Sequence, residues 1–474
     1  MAEILKPDLC IIGASALGIA LARQARGRGL EVVLVDRGID EEGDQPRGAL
    51  QRAAFAASAA RIHAIRRAAR LGIEVDTPKP NYRMISEQAA ARAAAMAPME
   101  SAVRLTALGI SVKTGEPRFV DKRTLGIGDE RIRASHFVLA TGASPVVPDL
   151  PGLDQVAFFT PDSILENIRK LTHLVVIGGD ATALELAQSY GRLGSAVTLV
   201  PQGPLLAGFD PEPVAILLRH LREEGVEVLE GASVTAINPR GQGTGIALQL
   251  ADGSEAALDV SHILVSLGRQ PMVDAAMLGA AQVRADPARP GHIRVGAAGQ
   301  TSNFRISAFG GAAGQYHAPL AMAGVQAWLD GVLGQRIKPI RAGQVPLVVT
   351  TEPPLAQIGV VAGQLRAGQR VLRASTVESG AAQANAEPVG AIKILTNAKG
   401  AILGGAMVGH GAGDVVALLA MAMQRGVPAA ELARLPLPMP SAASVLQALG
   451  EQAASTAQPG KLARRKLALL RLLP

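Results

Sequence analysis

The chain has 474 residues, of which 48% are hydrophobic and only 3% aromatic, and its formal net charge is +7. This length suits about three domains of ordinary size, and the dispersed positive charge does not favour a nucleic-acid partner. The single cysteine, Cys10, excludes an internal disulfide and is expected to be a small buried hydrophobe. Neither a signal peptide, a membrane span nor a metal-binding spacing of histidines is expected, so the composition predicts a cytoplasmic globular protein.

Residues 9–36 have the pattern of a strand, a glycine turn, a helix and a second strand that ends in an acid. Gly13 lets the chain turn sharply, Ser15 stands where a second glycine is usual, and Gly18 lets helix and strand pack closely. The helix N-terminus offers N–H groups to a pyrophosphate, and Asp36 can accept the hydroxyls of a ribose. The stretch predicts a dinucleotide-binding unit, with a glycine-rich core turn as the alternative.

The next segment is predicted to be mainly helical before it returns to a strand. Long helical stretches are expected over residues 49–71 and 81–110. A strand follows at residues 136–140, and it ends in Thr141-Gly142. A strand that ends in this way is a second feature of the same nucleotide-binding fold, although a plain strand-to-loop turn is the alternative.

The strand–turn–helix–strand pattern repeats over residues 174–200, with its turn at Gly178. Pro201 follows Gly178 at the same spacing at which Asp36 follows Gly13. An internal repeat of this kind indicates a repeated structural unit. The chain is therefore predicted to hold two nucleotide-binding-type units.

The remaining part of the chain first completes the second unit and then shows a different pattern of strands and helices. A strand that closes the second unit runs into Gly268, and a further strand leads to a glycine stop over residues 301–311. From residue 345 onward the pattern indicates an α+β domain. Its predicted strands and helices cover residues 346–350, 391–395, 403–408, 414–425 and 442–454.

In this order the motifs resemble those of the flavoprotein disulfide reductases, which include dihydrolipoamide dehydrogenase, glutathione reductase and mercuric reductase. The resemblance runs from about residue 7 to about residue 454 and includes the C-terminal run 402–409. It implies an α/β fold with two Rossmann-like domains, of the FAD- and NAD(P)-binding types, and a C-terminal α+β dimerisation domain that forms a homodimer. The implied parts are 1–150 with 270–340 for FAD, 151–269 for NAD(P), 341–455 for dimerisation, and a basic, leucine-rich tail at 456–474.

The resemblance also implies the cofactor-binding residues. Those for FAD are Gly13, Ser15, Gly18, Asp36, Thr141, Gly142 and Gly311. A weaker NAD(P) site would comprise Gly178, Asp180, Ala183 and Gly268. The family's aspartate after Gly310 is replaced by Gly311, so retention of FAD stays open.

The catalytic residues of the family are missing. Its two redox cysteines fall on Asp44 and Ala49, and its catalytic histidine and the glutamate that orients it fall on Met439 and Ser444. A thioether cannot carry a proton, and neither Asp44 nor Ala49 can form a thiolate. The sequence therefore predicts no catalytic residue of the family's kind and no disulfide reduction.

The second nucleotide unit departs from the family as well. Asp180 stands in the position of the second glycine, where its carboxylate is expected to cap its own helix and to take the N–H groups that a phosphate would use. The acid expected at the ribose falls on Pro201. NAD(P) binding is therefore disfavoured.

Three hypotheses for the function follow. The protein is a degenerate homodimer, a pseudoenzyme that binds FAD or has lost it and serves a binding or scaffold role. Alternatively, it is a cysteine-independent flavin oxidoreductase that passes electrons from NAD(P)H directly to a quinone, oxygen or a partner. Thirdly, the basic tail at residues 461–474 binds a protein partner or an anionic membrane surface, unless it packs on its own dimer.

Four further residues are candidates near a flavin. Tyr316 and His317 follow a glycine-rich loop, and ordinary packing or exposure to solvent is the alternative for both. Arg305 and Gln315 are candidates to compensate for the missing cofactor contacts.

Overall fold

The computed structural model describes residues 4–38, 48–241, 243–273, 275–335, 341–360, 366, 368–377, 379–386 and 389–455. The chain divides into two compact units: residues up to 207 with 224–341, and 208–223 with the residues from 342 onward. Asp44 and the basic tail lie outside the described residues, so the hypotheses about them stay predictions.

The described residues form eleven α-helices, and those predicted in the two strand–turn–helix–strand units and at residues 49–71, 414–425 and 442–454 are among them. They are α1 (Ala16–Gly27), α2 (Gly48–Arg66), α3 (Tyr82–Ala94), α4 (Ala102–Ala107), α5 (Ala181–Arg192), α6 (Pro211–Glu223), α7 (Ala275–Ala281), α8 (Ala318–Val332), α9 (Gly380–Ala384), α10 (Ala412–Arg425) and α11 (Ser444–Ser455). No described helix is both long and apolar enough to cross a membrane.

The strands of the first unit form two parallel sheets, one mixed sheet and smaller antiparallel ones. They are β1 (Ile4–Leu5), β2 (Leu9–Ile12), β3 (Val32–Asp36), β4 (Ser111–Thr114), β5 (Pro117–Phe119), β6 (Leu125–Ile127), β7 (Glu130–Ile132), β8 (His136–Leu139), β9 (Ala143–Pro145), β10 (His173–Ile177), β11 (Ala196–Val200), β12 (Val226–Val228), β13 (Ser233–Arg240), β14 (Gly243–Gln249), β15 (Glu255–Val260), β16 (His262–Val265), β17 (Arg269–Pro271) and β18 (Ile306–Ala308).

The first parallel sheet has the strand order β18-β8-β2-β3-β4. Its central strands are buried on both faces: Cys10 and Ile12 of β2 lie in one hydrophobic cluster, and Leu9 and Ile11 lie in the other. Burial on both faces explains why these strands read as continuous apolar runs rather than as an alternating pattern. The first strand–turn–helix–strand unit is thus confirmed. The carboxyl ends of the parallel strands lie at one edge of the sheet, and the glycine turns follow them there.

The second parallel sheet has the order β12-β11-β10-β16, and α5 connects β10 to β11. Ile177 at the end of β10 pairs with Val200 and with Val265, so the carboxyl ends of three strands meet beside Gly178. An antiparallel sheet of β13, β14 and β15 is inserted between β12 and β16. The strand–turn–helix–strand order of the first unit therefore occurs a second time, as predicted.

The second compact unit contains a five-stranded antiparallel sheet in the order β19-β20-β23-β22-β21. Its strands are β19 (Leu347–Val349), β20 (Leu355–Gly359), β21 (Arg370–Ser375), β22 (Gly390–Thr396) and β23 (Ile402–Gly409). Helices α10 and α11 share a hydrophobic cluster with this sheet, as an α+β domain requires. Helix α6 groups with this unit although it lies inside the predicted middle domain, and the three-domain division stays a prediction.

The long helical stretch predicted at residues 81–110 is interrupted. Asn81 and Ser101 each cap a separate helix through a side-chain oxygen, which accepts the N–H of Met84 and of Arg104 respectively. Pro98 lies between α3 and α4, and proline disfavours the helical conformation of the residue before it. Local capping and one proline therefore divide a stretch that periodicity alone joins.

Candidate cofactor site

The first glycine turn connects β2 to α1 and requires glycine at both of its key positions. Gly13 has φ +107°, and a Cβ there would lie 2.5 Å from the carbonyl oxygen of Ala140. A Cβ at Gly18 would overlap the carbonyl oxygen of Gly13. The predicted sharp turn and the close helix–strand packing are both confirmed.

Ser15 does more than keep the turn small. Its hydroxyl donates to the carbonyl oxygen of Ala140 (2.7 Å) and accepts the N–H of Gly18 (3.3 Å), so it caps α1 and ties it to the end of β8. This neutral cap uses one N–H group of the helix terminus. The N–H groups before Gly18 have no partner within the helix and can still face an anion.

The carboxylate of Asp36 lies at the end of β3, beside the same turn. One oxygen accepts the N–H of Ala14 (3.1 Å), and the other accepts the N–H of Gly38 (3.1 Å). The two amides orient a half-buried carboxylate whose remaining lone pairs are available to hydroxyl groups. The structure therefore brings Asp36 to the glycine turn, while its role at a ribose stays a prediction.

The turns after β8 and β18 complete this edge of the sheet. The hydroxyl oxygen of Thr141 is buried and has no hydrogen-bond partner among the described residues. Gly142 has φ +79°, and a Cβ there would meet no described atom within 4 Å. A Cβ at Gly311, by contrast, would lie 2.5 Å from the carbonyl carbon of Gly142. Open space and an unsatisfied hydroxyl thus lie together beside two turns in close contact.

The second glycine turn carries a carboxylate. One oxygen of Asp180 accepts the N–H of Ala183 (2.8 Å) and the hydroxyl of Ser266 (3.0 Å), and Asp180 is the N-cap of α5. Burial raises the pKa of Asp180, while these hydrogen bonds and the positive charges of Arg52 and Arg269 oppose the shift. The predicted cap is confirmed.

The backbone around this second turn is tightly packed. Gly178 has φ +144°, and a Cβ there would overlap the carbonyl oxygen of Ser266. The carbonyl oxygen of Gly179 accepts the N–H of Leu206 (2.8 Å). Gly268 lies in the bend between β16 and β17, where its carbonyl oxygen accepts the N–H of Val146 (3.0 Å). Of the four predicted NAD(P) residues, three therefore meet at one turn, and Gly268 lies in the neighbouring bend.

Further residues, which the sequence pattern did not single out, surround the second glycine turn. Arg269 donates from its two terminal nitrogens to both carboxylate oxygens of Asp162 (2.9 and 2.8 Å) and also to the carbonyl oxygen of Ala143 (2.7 Å). Ser266, directly after β16, donates its hydroxyl to Asp180, and the charge of Arg52 on α2 also acts on that carboxylate. Their partners are far away in sequence, so no local pattern could have indicated these contacts.

Two family models match the chain. The model described as "Pyridine nucleotide-disulphide oxidoreductase" matches residues 7–329, and the model described as the dimerisation domain of that family matches residues 345–449. The chain belongs to this family. The resemblance and the predicted fold class are thereby confirmed.

Named relatives agree with this assignment. The chain is 28% identical over 435 residues to mercuric reductase from Staphylococcus aureus, a match that covers 89% of this chain and 77% of that protein. It is 31% identical over 349 residues to dihydrolipoyl dehydrogenase from Thermus scotoductus, covering 71% and 74% of the two chains.

Solved structures share the fold. LpdA from Mycobacterium tuberculosis superposes with a TM-score of 0.83 at 22% identity, and the match covers 94% of this chain and 99% of that one. The HOCl-induced flavoprotein disulfide reductase RclA from Escherichia coli, solved as a Cu(II) complex, gives a TM-score of 0.82 at 21% identity, with the same coverage.

The positions of the family's catalytic residues are divided between the two compact units of the chain. Ala49 is exposed in the first turn of α2. Met439, 97% exposed, precedes Pro440, and Ser444 begins α11. None of these side chains can form a thiolate or transfer a proton as an imidazole does.

The one thiol is inaccessible. Cys10 is 0% exposed in the middle of the first parallel sheet, and burial strongly raises its pKa. A buried thiol of this kind behaves as a small hydrophobe rather than as a nucleophile. The prediction made for Cys10 is confirmed.

Arg305 is wrongly placed to compensate for a missing cofactor contact. It precedes β18, where its carbonyl oxygen accepts the N–H of Phe137 (2.8 Å) and its guanidinium donates to the carbonyl oxygen of Ser135 (3.2 Å). This is the amino end of the sheet, whereas the glycine turns lie at the carboxyl end. The hydroxyl of the exposed Tyr316 lies 3.1 Å from Nε2 of His292, and its stacking on a ring stays a prediction.

Proposed function

We propose that this protein is a flavin-holding homodimer that does not reduce disulfides and that serves a binding or scaffold role. The observation that carries this proposal is the burial of Cys10, the single cysteine of the chain. Disulfide exchange begins with the attack of an accessible thiolate on a sulfur atom, and the family's route needs a second thiol to release the product. One fully buried thiol can supply neither step.

The lack of a proton carrier supports the same conclusion. Met439 and Ser444 occupy the positions of the family's histidine and glutamate. A general acid–base catalyst must gain and lose a proton near the working pH, and a thioether does neither. Two separate parts of the disulfide-reducing machinery are therefore absent from the chain.

The first glycine turn supports retention of FAD. Asp36 can accept ribose hydroxyls, the N-terminus of α1 can face the pyrophosphate, and the buried hydroxyl of Thr141 can donate to the cofactor. A buried hydroxyl without a partner costs free energy that a bound group would recover. When bound, FAD supplies hydride and single-electron chemistry at its ring system.

The family match over residues 345–449 supports the homodimer, because that part of the family is its dimerisation domain. The second compact unit has an α+β architecture with its own hydrophobic cluster, as a separate association module would need.

An absorbance spectrum and a reductase assay on the purified full chain test the proposal. We expect a flavin band, before or after reconstitution with FAD, and no reduction of oxidised lipoamide, oxidised glutathione or an aromatic disulfide with NADH or NADPH above a free-FAD control. Turnover of any of these disulfides would refute the proposal. Absence of a flavin band after reconstitution would remove its flavin part.

The intact first turn also favours a second candidate, a cysteine-independent flavin oxidoreductase that reduces a quinone or oxygen. Such an activity needs FAD, a reductant and an acceptor but no thiol. Anaerobic reduction of the bound flavin by dithionite, followed by mixing with a quinone, tests it. Reoxidation much faster than that of free flavin would favour this candidate over the scaffold role.

A further inference from the structure

We propose that the second glycine turn is closed to pyridine nucleotides by its own residues, and that Asp180 is a built-in anion in the place of the pyrophosphate. This inference concerns β10, α5 and β11, and it goes beyond the proposed function because the residues that would hold FAD take no part in it.

The geometry at the turn shows how the place is filled. The carboxylate of Asp180 already accepts the N–H of Ala183 at 2.8 Å, and Ser266 holds the same oxygen through its hydroxyl at 3.0 Å. A helix N-terminus attracts one anion, and here that anion is part of the chain. A second anion brought to the same N–H groups would face a like charge at close range in a half-buried site.

The turn is also held in place, so the carboxylate cannot move aside with its backbone. A Cβ built on Gly179 would lie 3.1 Å from Pro201 and 3.2 Å from Leu205, which shows how closely these residues pack on the turn. The N–H of Leu206 donates to the carbonyl oxygen of Gly179 at 2.8 Å. Leu206 adopts φ +47°, a conformation that a leucine keeps only where its surroundings require it.

The residue directly after β11, beside the turn, has no side-chain group that can bind a ribose. Pro201 is buried there and carries neither a carboxylate for the hydroxyls of NADH nor a cation for the extra phosphate of NADPH. The carboxylate of Asp180 at the turn and the apolar residue Pro201 at the strand end therefore disfavour the binding of both NADH and NADPH.

The two glycine turns of the chain form an internal comparison. In the first turn a neutral hydroxyl, that of Ser15, caps the helix, and the acid, Asp36, stands at the strand end. In the second turn the acid, Asp180, caps the helix and an apolar residue, Pro201, stands at the strand end. The negative charge thus lies at the strand end in the first turn and at the helix N-terminus in the second, where it would repel a phosphate.

Nucleotide binding by matched variants of the full chain, loaded with FAD where it binds, tests the proposal. NADH and NADPH are titrated separately and followed by their own fluorescence. Wild type should show no saturable binding up to about 1 mM, the upper end of ordinary substrate constants. D180G should bind at least one of the two about tenfold more tightly or better, because the charge is gone and glycine is itself a tolerated N-cap.

Two further variants separate charge from other effects. D180N keeps a capping side chain but removes the charge, so it should gain binding to a smaller extent than D180G. D252N removes an exposed carboxylate in the turn between β14 and β15, where it accepts the N–H and the hydroxyl of Ser254, and it should behave as wild type.

Saturable binding of either nucleotide to wild type below about 1 mM would overturn the proposal. A folded D180G that gains nothing would also overturn it, and if D180G does not fold, the same criterion applies to D180N. The flavin content of each preparation should be the same, so failure of this inference is distinguishable from failure of the proposed flavin site.

Discussion

Restoring the family's aspartate after Gly310 should destabilise this protein and weaken FAD binding rather than restore a cofactor contact. In the G311D variant the new Cβ would lie 2.5 Å from the carbonyl carbon of Gly142, 2.7 Å from its carbonyl oxygen and 2.8 Å from Cβ of Ala143. Two of these three atoms belong to the backbone, so no change of rotamer can relieve the contact.

The expected cost is that of overpacking a tight contact. Inserting an extra group into a well-packed site typically costs about 1–3 kcal/mol, and main-chain neighbours place this site toward the upper part of that range. The backbone of Gly311 does not have a positive φ, so the penalty comes from steric overlap alone. The turns after β8 and β18 should separate, which would also disturb Thr141.

The assay compares G311D with G311A by thermal unfolding, with and without FAD, and by flavin titration. Both variants introduce the same Cβ, so both should lower the unfolding midpoint by a similar amount and weaken FAD binding. G311A therefore controls for the steric effect, and the difference between the two variants reports what the carboxylate itself contributes.

The reasoning would be refuted if G311D bound FAD more tightly than wild type and kept the wild-type unfolding midpoint. That result would mean that the two turns separate at no cost and that the lost aspartate, not the packing of two glycines, limits cofactor binding.

Three other predictions follow from single contacts. Cys10 should react with a thiol reagent only after denaturation in urea, because burial excludes the reagent and raises the pKa of the thiol; stoichiometric labelling of the native protein would contradict this. D36A should weaken FAD binding by about 1.5–3 kcal/mol in a flavin titration, the loss expected for hydrogen bonds to a charged group, whereas unchanged affinity would exclude Asp36 from the site. K393M should lower the unfolding free energy by about 3–5 kcal/mol in urea, because the Lys393 ammonium lies 2.6 Å from the buried carboxylate of Asp210 at the start of α6; an unchanged midpoint would show that this ion pair contributes nothing.

Much of the architecture is predictable from the sequence because it depends on local rules. Strands buried on both faces must be apolar throughout, and a sharp turn between strand and helix needs a glycine at the position of Gly13. The cap formed by Asp180 spans three residues, so its carboxylate and the N–H of Ala183 that donates to it are neighbours in any helix. The helix boundaries near Pro98 were missed because periodicity does not register a proline between two capped helices.

Composition and local pattern by themselves determined that this protein has two strand–turn–helix–strand units, an α+β end and too few thiols for the chemistry of its family. Only the tertiary structure decided that a Cβ at Gly311 would meet the backbone of Gly142, and that α6 belongs to the second unit. The same holds for Ser266, which reaches Asp180 across 86 residues of sequence. The physical reason is range: capping, turns and periodicity act within one or two turns of chain, whereas close approach and burial depend on which distant segments the packing brings together.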